Sequence, residues 1–285
     1  MICGAQKSGT SSLLQYLNAH SKIIKQNLNE LPYIIDESIF NLGFENTFIK
    51  YFDAPSKEES IVVAKNVGVM HSPHAIKRLF DHNPDCIVVL LLRNPIDRAY
   101  SNYYYALRKG DETIDSFESA IDIEPKRLQE NEFKWRHCAY LDRGIYHKQV
   151  EELLKYFPKD QLMIFTFENF KKDPQTILDE IFKKLNISPE PTIMIGKKYN
   201  EKAAVKSKFL ARFLRNQGGI KKMIRNIFGE KLRKKLKSKV VKMNETAFDQ
   251  PTMKIETRLK LIEYFRPLNK KFSDIANMNV DYWNK

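Results

Sequence analysis

Apolar runs and amphipathic stretches follow one another along the chain. Residues 85–92 form the strongest run, and such a run is typical of a strand buried on both faces of a parallel sheet. Four shorter runs predict further strands at residues 1–3, 23–24, 61–64 and 162–165. Strands are therefore expected as far as residue 165.

The stretches between these runs carry apolar residues three or four positions apart, which predicts helices. Proline opens several of them: Pro73 follows Ser72, Pro95 follows the strongest run, and Pro174 follows Asp173. Helices are expected at about residues 11–19, 73–81, 95–105, 144–157, 174–185 and 257–275. Alternating strands and helices predict an α/β fold, a P-loop-type doubly wound parallel sheet flanked by helices.

The chain is long enough for one large domain or two small ones. Its 285 residues are 42% hydrophobic, which suffices for a core. No internal repeat or low-complexity linker divides the sequence. We therefore predict a single domain, with an α/β core at residues 1–199 and a helical, basic C-terminal extension at residues 200–285.

Positive charge is concentrated in one segment of that extension. Residues 206–242 contain fourteen lysines and arginines against the single acid Glu230, which equals the chain's whole net charge of +13. Apolar residues recur there at threes and fours, so we expect an amphipathic basic helix broken near Gly229. Such a face suits an acidic polysaccharide, an anionic lipid surface or nucleic acid, and a merely solvated face is the alternative.

Cysteine content and hydropathy bear on location. Cys3, Cys86 and Cys138 are too few and too scattered for a disulfide framework or a metal site. No run reaches the roughly 20 apolar residues of a membrane span, and no charged-then-apolar leader precedes the first loop. We expect a cytoplasmic protein, with membrane association or a removed N-terminal anchor left open.

Residues 4–12, with the sequence GAQKSGTSS, lie between the first predicted strand and the first helix. Glycines let the backbone approach an anion, and the free amides at a helix start favour negative charge. The segment differs from the NTPase pattern GxxxxGK[ST], because Thr10 stands at the lysine position and Lys7 lies three positions earlier. It predicts a phosphate or sulfate site, with an ordinary βα turn or a P-loop kinase or nucleotide hydrolase as rival interpretations.

A second motif follows the strongest apolar run. Arg93 stands at the predicted strand end, and Ser101 lies eight residues later, about two turns into the next helix. An arginine and a serine so placed could converge on one phosphate. The segment reads RNPIDRAYSNY and matches the pattern RxPxxRxxSxY.

The two motifs together resemble those of sulfotransferases that use 3′-phosphoadenosine-5′-phosphosulfate (PAPS). The resemblance is closer to the carbohydrate and bacterial branch than to the small-phenol branch. It implies that Arg93 and Ser101 bind the 3′-phosphate and that Arg98 is structural. It also implies that the 5′-phosphosulfate is bound by Lys7, Ser8, Gly9, Thr10, Ser11 and Ser12.

The same resemblance supplies candidates for the catalytic groups. Glu30 lies in a segment similar to the family's K-E-x-H-F-F, whose glutamate acts as base, although Asn29 and Pro32 replace the lysine and the histidine. Lys65 is similar to the lysine of the family's K-T-P segment, which lies near the sulfuryl group. The next two positions after Lys65 depart from that pattern.

Sulfuryl transfer needs a base for the acceptor, positive charge for the sulfuryl oxygens and stabilisation of the leaving phosphate. Lys7 and the amides of its loop suit the last two roles, so we expect no metal ion. His71 and His74 are alternatives to Glu30 as the base.

The predicted function is transfer of a sulfuryl group from PAPS to a hydroxyl or amine, with a glycan as the first expected acceptor. The resemblance also makes Lys206 and Ser207 candidates for the 3′-phosphate. An anionic polysaccharide or a membrane surface is the expected partner of the basic segment, and no nucleic-acid partner is expected. The second rival is a non-catalytic protein that binds nucleic acid or membrane through residues 206–242.

Overall fold

The computed structural model describes residues 1–55, 60–130, 137–190, 203–205, 245–247 and 250–285. The chain divides into two compact units. The first comprises Met1–Arg98, Asp142–Asn200 and Leu259–Lys285, and the second comprises Ala99–Leu141 and Glu201–Arg258. The single domain with a division near residue 200 stays a prediction.

A parallel sheet forms the centre of the first unit. Its strands are β1 (Ile2–Gly4), β2 (Ile23–Ile24), β3 (Ile61–Val62), β4 (Val88–Leu92) and β5 (Leu162–Thr166). β4 lies between β1 and β5, and β2 pairs with β3. A parallel bridge between Ile2 and Lys65 joins the chain beyond β3 to β1, which gives the order β2–β3–β1–β4–β5. The predicted parallel α/β sheet is confirmed.

β4 explains the strongest apolar run of the sequence. All five of its residues are buried. Val88, Leu90 and Leu92 belong to one cluster of core side chains, whereas Val89 and Leu91 belong to another. Successive side chains of a strand point to opposite faces of the sheet, so a strand covered on both faces has no position for a polar residue.

The six predicted helices each begin within two residues of the expected start, and the described residues contain five further helices that were not predicted, at 37–40, 44–51, 117–122, 124–130 and 167–172. In chain order the helices are α1 (Thr10–Leu17), α2 (Glu37–Phe40), α3 (Phe44–Tyr51), α4 (Pro73–His82), α5 (Pro95–Lys109), α6 (Phe117–Asp122), α7 (Glu124–Glu130), α8 (Tyr146–Leu154), α9 (Phe167–Lys172), α10 (Pro174–Lys184) and α11 (Ile255–Ala276). Ser72 Oγ accepts the Ala75 N–H at the start of α4, and Asp173 accepts the Thr176 N–H at the start of α10. Proline in the first turn and a polar cap before it therefore begin both helices.

The helical C-terminal extension is confirmed by α11. The structure adds a short antiparallel pair, β6 (Ala203–Val205) with β7 (Glu245–Ala247), which segments of three residues are too short to reveal in the sequence. The basic segment at residues 206–242 lies outside the described residues, so its helix stays a prediction. Among the helices that the structure does describe, none combines the length and the apolar composition needed to cross a bilayer.

The carboxyl ends of β1 and β4 leave the sheet at one edge. The two strands are parallel neighbours, with Ile2 opposite Val89, and the Ala5 N–H donates to the Leu91 carbonyl at 2.8 Å. The segment after β1 and the turn after β4 therefore start side by side. Doubly wound sheets bind their ligands at this edge.

The second unit contains a buried carboxylate in an aromatic setting. The Glu112 side chain is fully buried and accepts hydrogen bonds from Arg127 Nη2 and Tyr140 Oη, both at 2.8 Å. The Tyr140 ring packs against the rings of Tyr103 and Phe117, with centroids 5.8 and 6.4 Å away. A charge at this depth is stable only because it is paired and hydrogen-bonded.

Candidate active site

The donor loop, residues 4–12, turns directly from β1 into α1. Lys7 and Gly9 adopt the left-handed conformation, with φ of 70° and 87°. A Cβ at Gly9 would lie 3.0 Å from the Phe167 ring, so both the conformation and the space favour glycine. The Gly9 carbonyl then accepts the first N–H bonds of α1, from Ser12 at 2.9 Å and Leu13 at 3.1 Å. The first turn of α1 thus follows the carboxyl end of β1, and the free amides of a helix start favour an anion.

The hydroxyl side chains of the donor loop differ in their surroundings. Ser8 is fully buried, and its Oγ has no hydrogen-bond partner among the described residues. Thr10 is also buried, whereas Ser11 and Ser12 are half-buried. A buried hydroxyl without a partner costs about 1–3 kcal/mol, and an anionic oxygen bound in the loop would remove that cost. The loop therefore fits a phosphate or sulfate group.

Arg93 lies against the donor loop. Its Nη1 donates to the Lys7 carbonyl at 3.3 Å, and its guanidinium lies 5.0 Å from the centre of the Phe167 ring. Tyr146 Oη donates to the Arg93 carbonyl at 2.8 Å, which holds the backbone of the turn. Arg93 and Lys7, which are 86 positions apart in the sequence, thus meet at the edge of the sheet.

Ser101 and Arg98 also belong to the second motif, and they differ in their surroundings. Ser101 is half-buried in α5 and belongs to the second compact unit, so its role at the 3′-phosphate stays a prediction. Arg98 is 1% exposed, as suits a structural residue. Lys206 and Ser207 lie outside the described residues, and their roles also stay predictions.

A polar network behind Arg93 fixes the turn between β4 and α5. Glu168 accepts the Asn94 N–H at 3.1 Å and the Trp283 indole N–H at 3.3 Å. The Asn94 side chain donates to the Trp283 carbonyl at 3.0 Å and accepts the Ile96 N–H at 3.0 Å, which caps α5. The network anchors the C-terminus of the chain beside the turn that carries Arg93.

Glu30 and Lys65 form an ion pair next to β1. Lys65 Nζ donates to one oxygen of the Glu30 carboxylate, and the Val67 N–H donates to the other oxygen at 2.9 Å. Lys65 is fully buried, and Gln26 Oε1 accepts its backbone N–H at 2.8 Å. Burial lowers the pKa of Lys65, while the Glu30 carboxylate opposes that effect. The structure thus brings together two of the three residues proposed for catalysis, and Lys7 of the donor loop is the third.

Asn29 links this pair to the donor loop. Ser11 Oγ donates to Asn29 Oδ1 at 2.8 Å, and Asn29 is the residue immediately before Glu30. The sequence did not predict this contact, because Asn29 replaces the lysine of the family's segment. Its position immediately before the candidate base is the feature of the sequence that points to a role at the site.

The alternative bases lie in other surroundings. His71 is buried, and its Nε2 lies 2.6 Å from Asp142 Oδ2. Burial is the main cause that lowers the pKa of His71, and its hydrogen bond lowers the pKa of Asp142. A neutral imidazole therefore donates to a charged carboxylate. His74 Nε2 lies 2.7 Å from Arg78 Nη2, which makes His74 a partner of a buried arginine.

Metal ligands do not cluster in the part of the chain that the structure describes. There, no group of three or more His, Cys, Asp or Glu side chains is arranged to hold a metal ion. The expected independence from metal stays a prediction, to be tested with a chelator.

The sequence matches known proteins along most of its length. A family model described as "Sulfotransferase domain" matches residues 1–253. Human bifunctional heparan sulfate N-deacetylase/N-sulfotransferase 3 is 28% identical over 196 residues, which cover 66% of this chain and 22% of that protein. Human heparan sulfate glucosamine 3-O-sulfotransferase 5 is 26% identical over 193 residues, which cover 66% of this chain and 53% of that protein. The chain thus spans about half or less of the length of these relatives.

A solved structure shares the fold. The crystal structure of a sulfotransferase from Alicyclobacillus acidocaldarius superposes with a TM-score of 0.68 at 22% identity, covering 100% of this chain and 97% of that chain. The parallel sheet and its flanking helices are therefore an arrangement already known from a sulfotransferase. With a family match that extends over 253 of 285 residues, the chain belongs to the sulfotransferase family.

Proposed function

We propose that this protein transfers a sulfuryl group from PAPS to a hydroxyl or amine of a glycan. The observation that carries the proposal is the meeting of three elements at one sheet edge. The donor loop contains a buried hydroxyl without a partner, Arg93 lies on the Lys7 carbonyl, and Ser11 contacts the residue before Glu30. An anion site thus lies next to a candidate base.

The donor would be held at two places. Lys7, Ser8 and the N–H groups at the start of α1 suit the 5′-phosphosulfate, with Thr10, Ser11 and Ser12 around them. Arg93 and Ser101 are assigned to the 3′-phosphate, together with Lys206 and Ser207. PAPS, the donor that the family generally uses, supplies the sulfuryl group and leaves as adenosine 3′,5′-bisphosphate.

Glu30 is assigned the role of base. Its carboxylate is 39% exposed, whereas its partner Lys65 is fully buried, so the carboxylate is the accessible member of the pair. The Lys65 ammonium and the Val67 N–H donate to its two oxygens, which holds the carboxylate in place, and a carboxylate can accept a proton from the acceptor hydroxyl or amine. Lys7 and the loop amides stabilise the negative charge that develops on the leaving phosphate.

The acceptor class is proposed from the relatives. Two of them are named for heparan sulfate, one as an N-sulfotransferase and one as a 3-O-sulfotransferase, so a glycan amine and a glycan hydroxyl are both candidate acceptors. The basic segment at residues 206–242 carries the positive charge that would attract an anionic polysaccharide or a membrane surface. Transfer of labelled sulfate from PAPS to a glycan panel identifies the acceptor.

Nucleotide selectivity tests the donor site. We expect adenosine 3′,5′-bisphosphate to raise the melting temperature more than AMP does, because Arg93 adds a charged contact to the 3′-phosphate. Arg93→Ala should weaken the bisphosphate about tenfold or more, as befits loss of a charge-assisted hydrogen bond, and leave AMP almost unchanged. Arg266→Ala, an exposed arginine of α11, is the matched control. Equal affinity of the wild type for both nucleotides would contradict the proposal.

A further inference from the structure

Two consecutive side chains reach different parts of the candidate active site. Asp142 and Arg143 form a short 3-10 turn with Gly144 just before α8. Asp142 Oδ2 lies 2.6 Å from His71 Nε2, and Arg143 Nη1 donates to Gln6 Oε1 at 3.2 Å. These two contacts span 71 and 137 positions of the sequence.

Each contact ends at a segment that carries a functional group. Gln6 is in the donor loop, next to Lys7. His71 ends the 3-10 turn Val69–His71, which begins two residues after Val67, and the Val67 N–H holds the Glu30 carboxylate. Asp142 and Arg143 therefore connect the donor side of the site with the side that carries the base.

The turn that makes this connection is itself held firmly. Arg143 is 7% exposed, and its carbonyl accepts a hydrogen bond from Gln149 Nε2 at 3.2 Å. A Cβ at Gly144 would lie 2.9 Å from Pro95 Cβ and 3.0 Å from the Phe265 ring, so the backbone is packed closely against α5 and α11. Close packing of this kind resists small displacements.

We propose that Asp142 and Arg143 are positioning residues, which hold the donor loop and the Glu30 side of the site at a fixed separation. The inference rests on the proposed function. In-line transfer requires the donor, the acceptor and the base to be aligned, and a misplacement of about 1 Å costs about 10²-fold in rate. Asp142 acts through His71, and Arg143 acts through Gln6.

A pair of Asp142 variants separates this role from acid–base chemistry. Asp142→Ala removes the acceptor of the His71 hydrogen bond and should lower kcat about tenfold or more. The affinity for adenosine 3′,5′-bisphosphate should change less than about threefold, because the donor contacts remain. Asp142→Asn keeps an oxygen that accepts the His71 N–H, so it should retain kcat within about threefold. Asp81→Ala, which removes the carboxylate of an exposed ion pair with Lys77 of the same 2.6 Å length, is the matched control.

A double-mutant cycle tests the connection itself. If Gln6→Ala and Asp142→Ala disrupt the same connection, kcat of the double variant should be only slightly lower than kcat of the more impaired single variant. Hydrogen exchange supplies a readout that does not depend on turnover: Asp142→Ala should speed the exchange of the amides at residues 67–71, and Asp81→Ala should not.

Three results would overturn the inference. They are a wild-type kcat in Asp142→Ala, equal reductions of kcat in Asp142→Ala and Asp142→Asn, or a reduction of kcat in the Gln6→Ala/Asp142→Ala variant that equals the product of the two single reductions. Unchanged exchange at residues 67–71 in Asp142→Ala would also overturn it. A wild-type protein that binds no bisphosphate and transfers no sulfate would instead refute the proposed function, and the exchange measurement would still decide whether Asp142 holds the segment at residues 67–71.

Discussion

At the scale of single residues, the candidate site depends on the pairing of Glu30 with Lys65. The two side chains have unequal surroundings, because that of Lys65 is fully buried and that of Glu30 is 39% exposed. Burial lowers the pKa of Lys65, and the Glu30 carboxylate favours the charged ammonium. Removal of one partner should therefore change stability differently from removal of the other.

We expect Glu30→Gln to lower kcat by about 10²-fold or more, because the amide cannot accept the acceptor's proton. The substitution also leaves the Lys65 ammonium buried without a counter-charge. Breaking a fully buried pair costs about 3–5 kcal/mol. Since solvent screens the partly exposed carboxylate, we expect a loss of about 1–2 kcal/mol here. Steady-state kinetics and urea unfolding measure the two effects.

Lys65→Met is the matched comparison for stability. Methionine fills the space of the lysine stem without burying a charge, so this variant should be more stable than Glu30→Gln. For the same reason the variant that combines Glu30→Gln with Lys65→Met should be more stable than Glu30→Gln alone. Wild-type kcat in Glu30→Gln would contradict the assignment of the base, and equal stability of all three variants would contradict the energetic importance of the pair.

At the scale of elements, the donor loop is shaped by what packs beneath it. Gly9 has a φ of 87°, and Phe167, the first residue of α9, lies directly below it. The same ring lies 5.0 Å from the guanidinium of Arg93. One aromatic side chain thus supports both the 5′ and the 3′ parts of the proposed donor site.

We expect Gly9→Ala to destabilise the protein by about 1–3 kcal/mol, through backbone strain and contact of the new methyl group with Phe167. Because the loop must shift to relieve that contact, affinity for adenosine 3′,5′-bisphosphate should fall as well. Urea unfolding and a bisphosphate titration test both effects.

Gly43→Ala separates the two causes. Gly43 also has a positive φ, of 86°, but a Cβ there meets nothing within 4 Å. Stability should fall through strain alone, and bisphosphate affinity should stay at the wild-type value. Unchanged affinity in Gly9→Ala would show that the shape of the donor loop does not depend on Phe167.

At the scale of the whole molecule, both compact units contain buried polar side chains. In the first unit they include Ser8 and Lys65 of the candidate site. In the second unit the central group is Glu112, where burial by itself would raise the pKa. Hydrogen bonds from Arg127, the Ile114 N–H, Tyr140 and the Thr113 N–H outweigh burial and lower the pKa to about 2.

The Glu112 carboxylate should make stability depend on acidity. A folded pKa of about 2, below the ordinary value of 4.5, means that the unfolded chain takes up the proton first as the pH falls. The contribution of Glu112 is therefore complete above pH 4.5 and is lost as the pH falls towards 2. A shift of this size corresponds to about 3 kcal/mol.

Glu112→Gln should flatten the fall in unfolding free energy between pH 4.5 and 2, as measured by urea unfolding across that range. At neutral pH the variant should be less stable, because Arg127 loses its counter-charge in a buried setting. Asp81→Asn, at the exposed ion pair with Lys77, is the control. Parallel pH curves for Glu112→Gln and the wild type would contradict the prediction.

Much of the fold could be predicted from local pattern. The five residues of β4 are apolar because both faces of that strand are covered, and the caps Ser72 and Asp173 mark helix starts in the sequence itself. The pair β6 and β7 was not expected, because strands of three residues show no period. A periodic pattern of apolar residues can be recognised only in a segment long enough to show the period more than once.

The sequence alone determined the α/β class, the positions of the main strands and helices, and the two motifs at Lys7 and Arg93, because each depends on residues close together in the chain. Only the tertiary structure decided which side chains meet. Glu30 with Lys65, Arg93 with Lys7 and Arg143 with Gln6 are separated by 35, 86 and 137 positions. The pairing of Arg93 with Lys7 arises from the order of a parallel sheet, which brings the carboxyl ends of distant strands to one edge, and the other two depend on how loops and turns pack beside that edge.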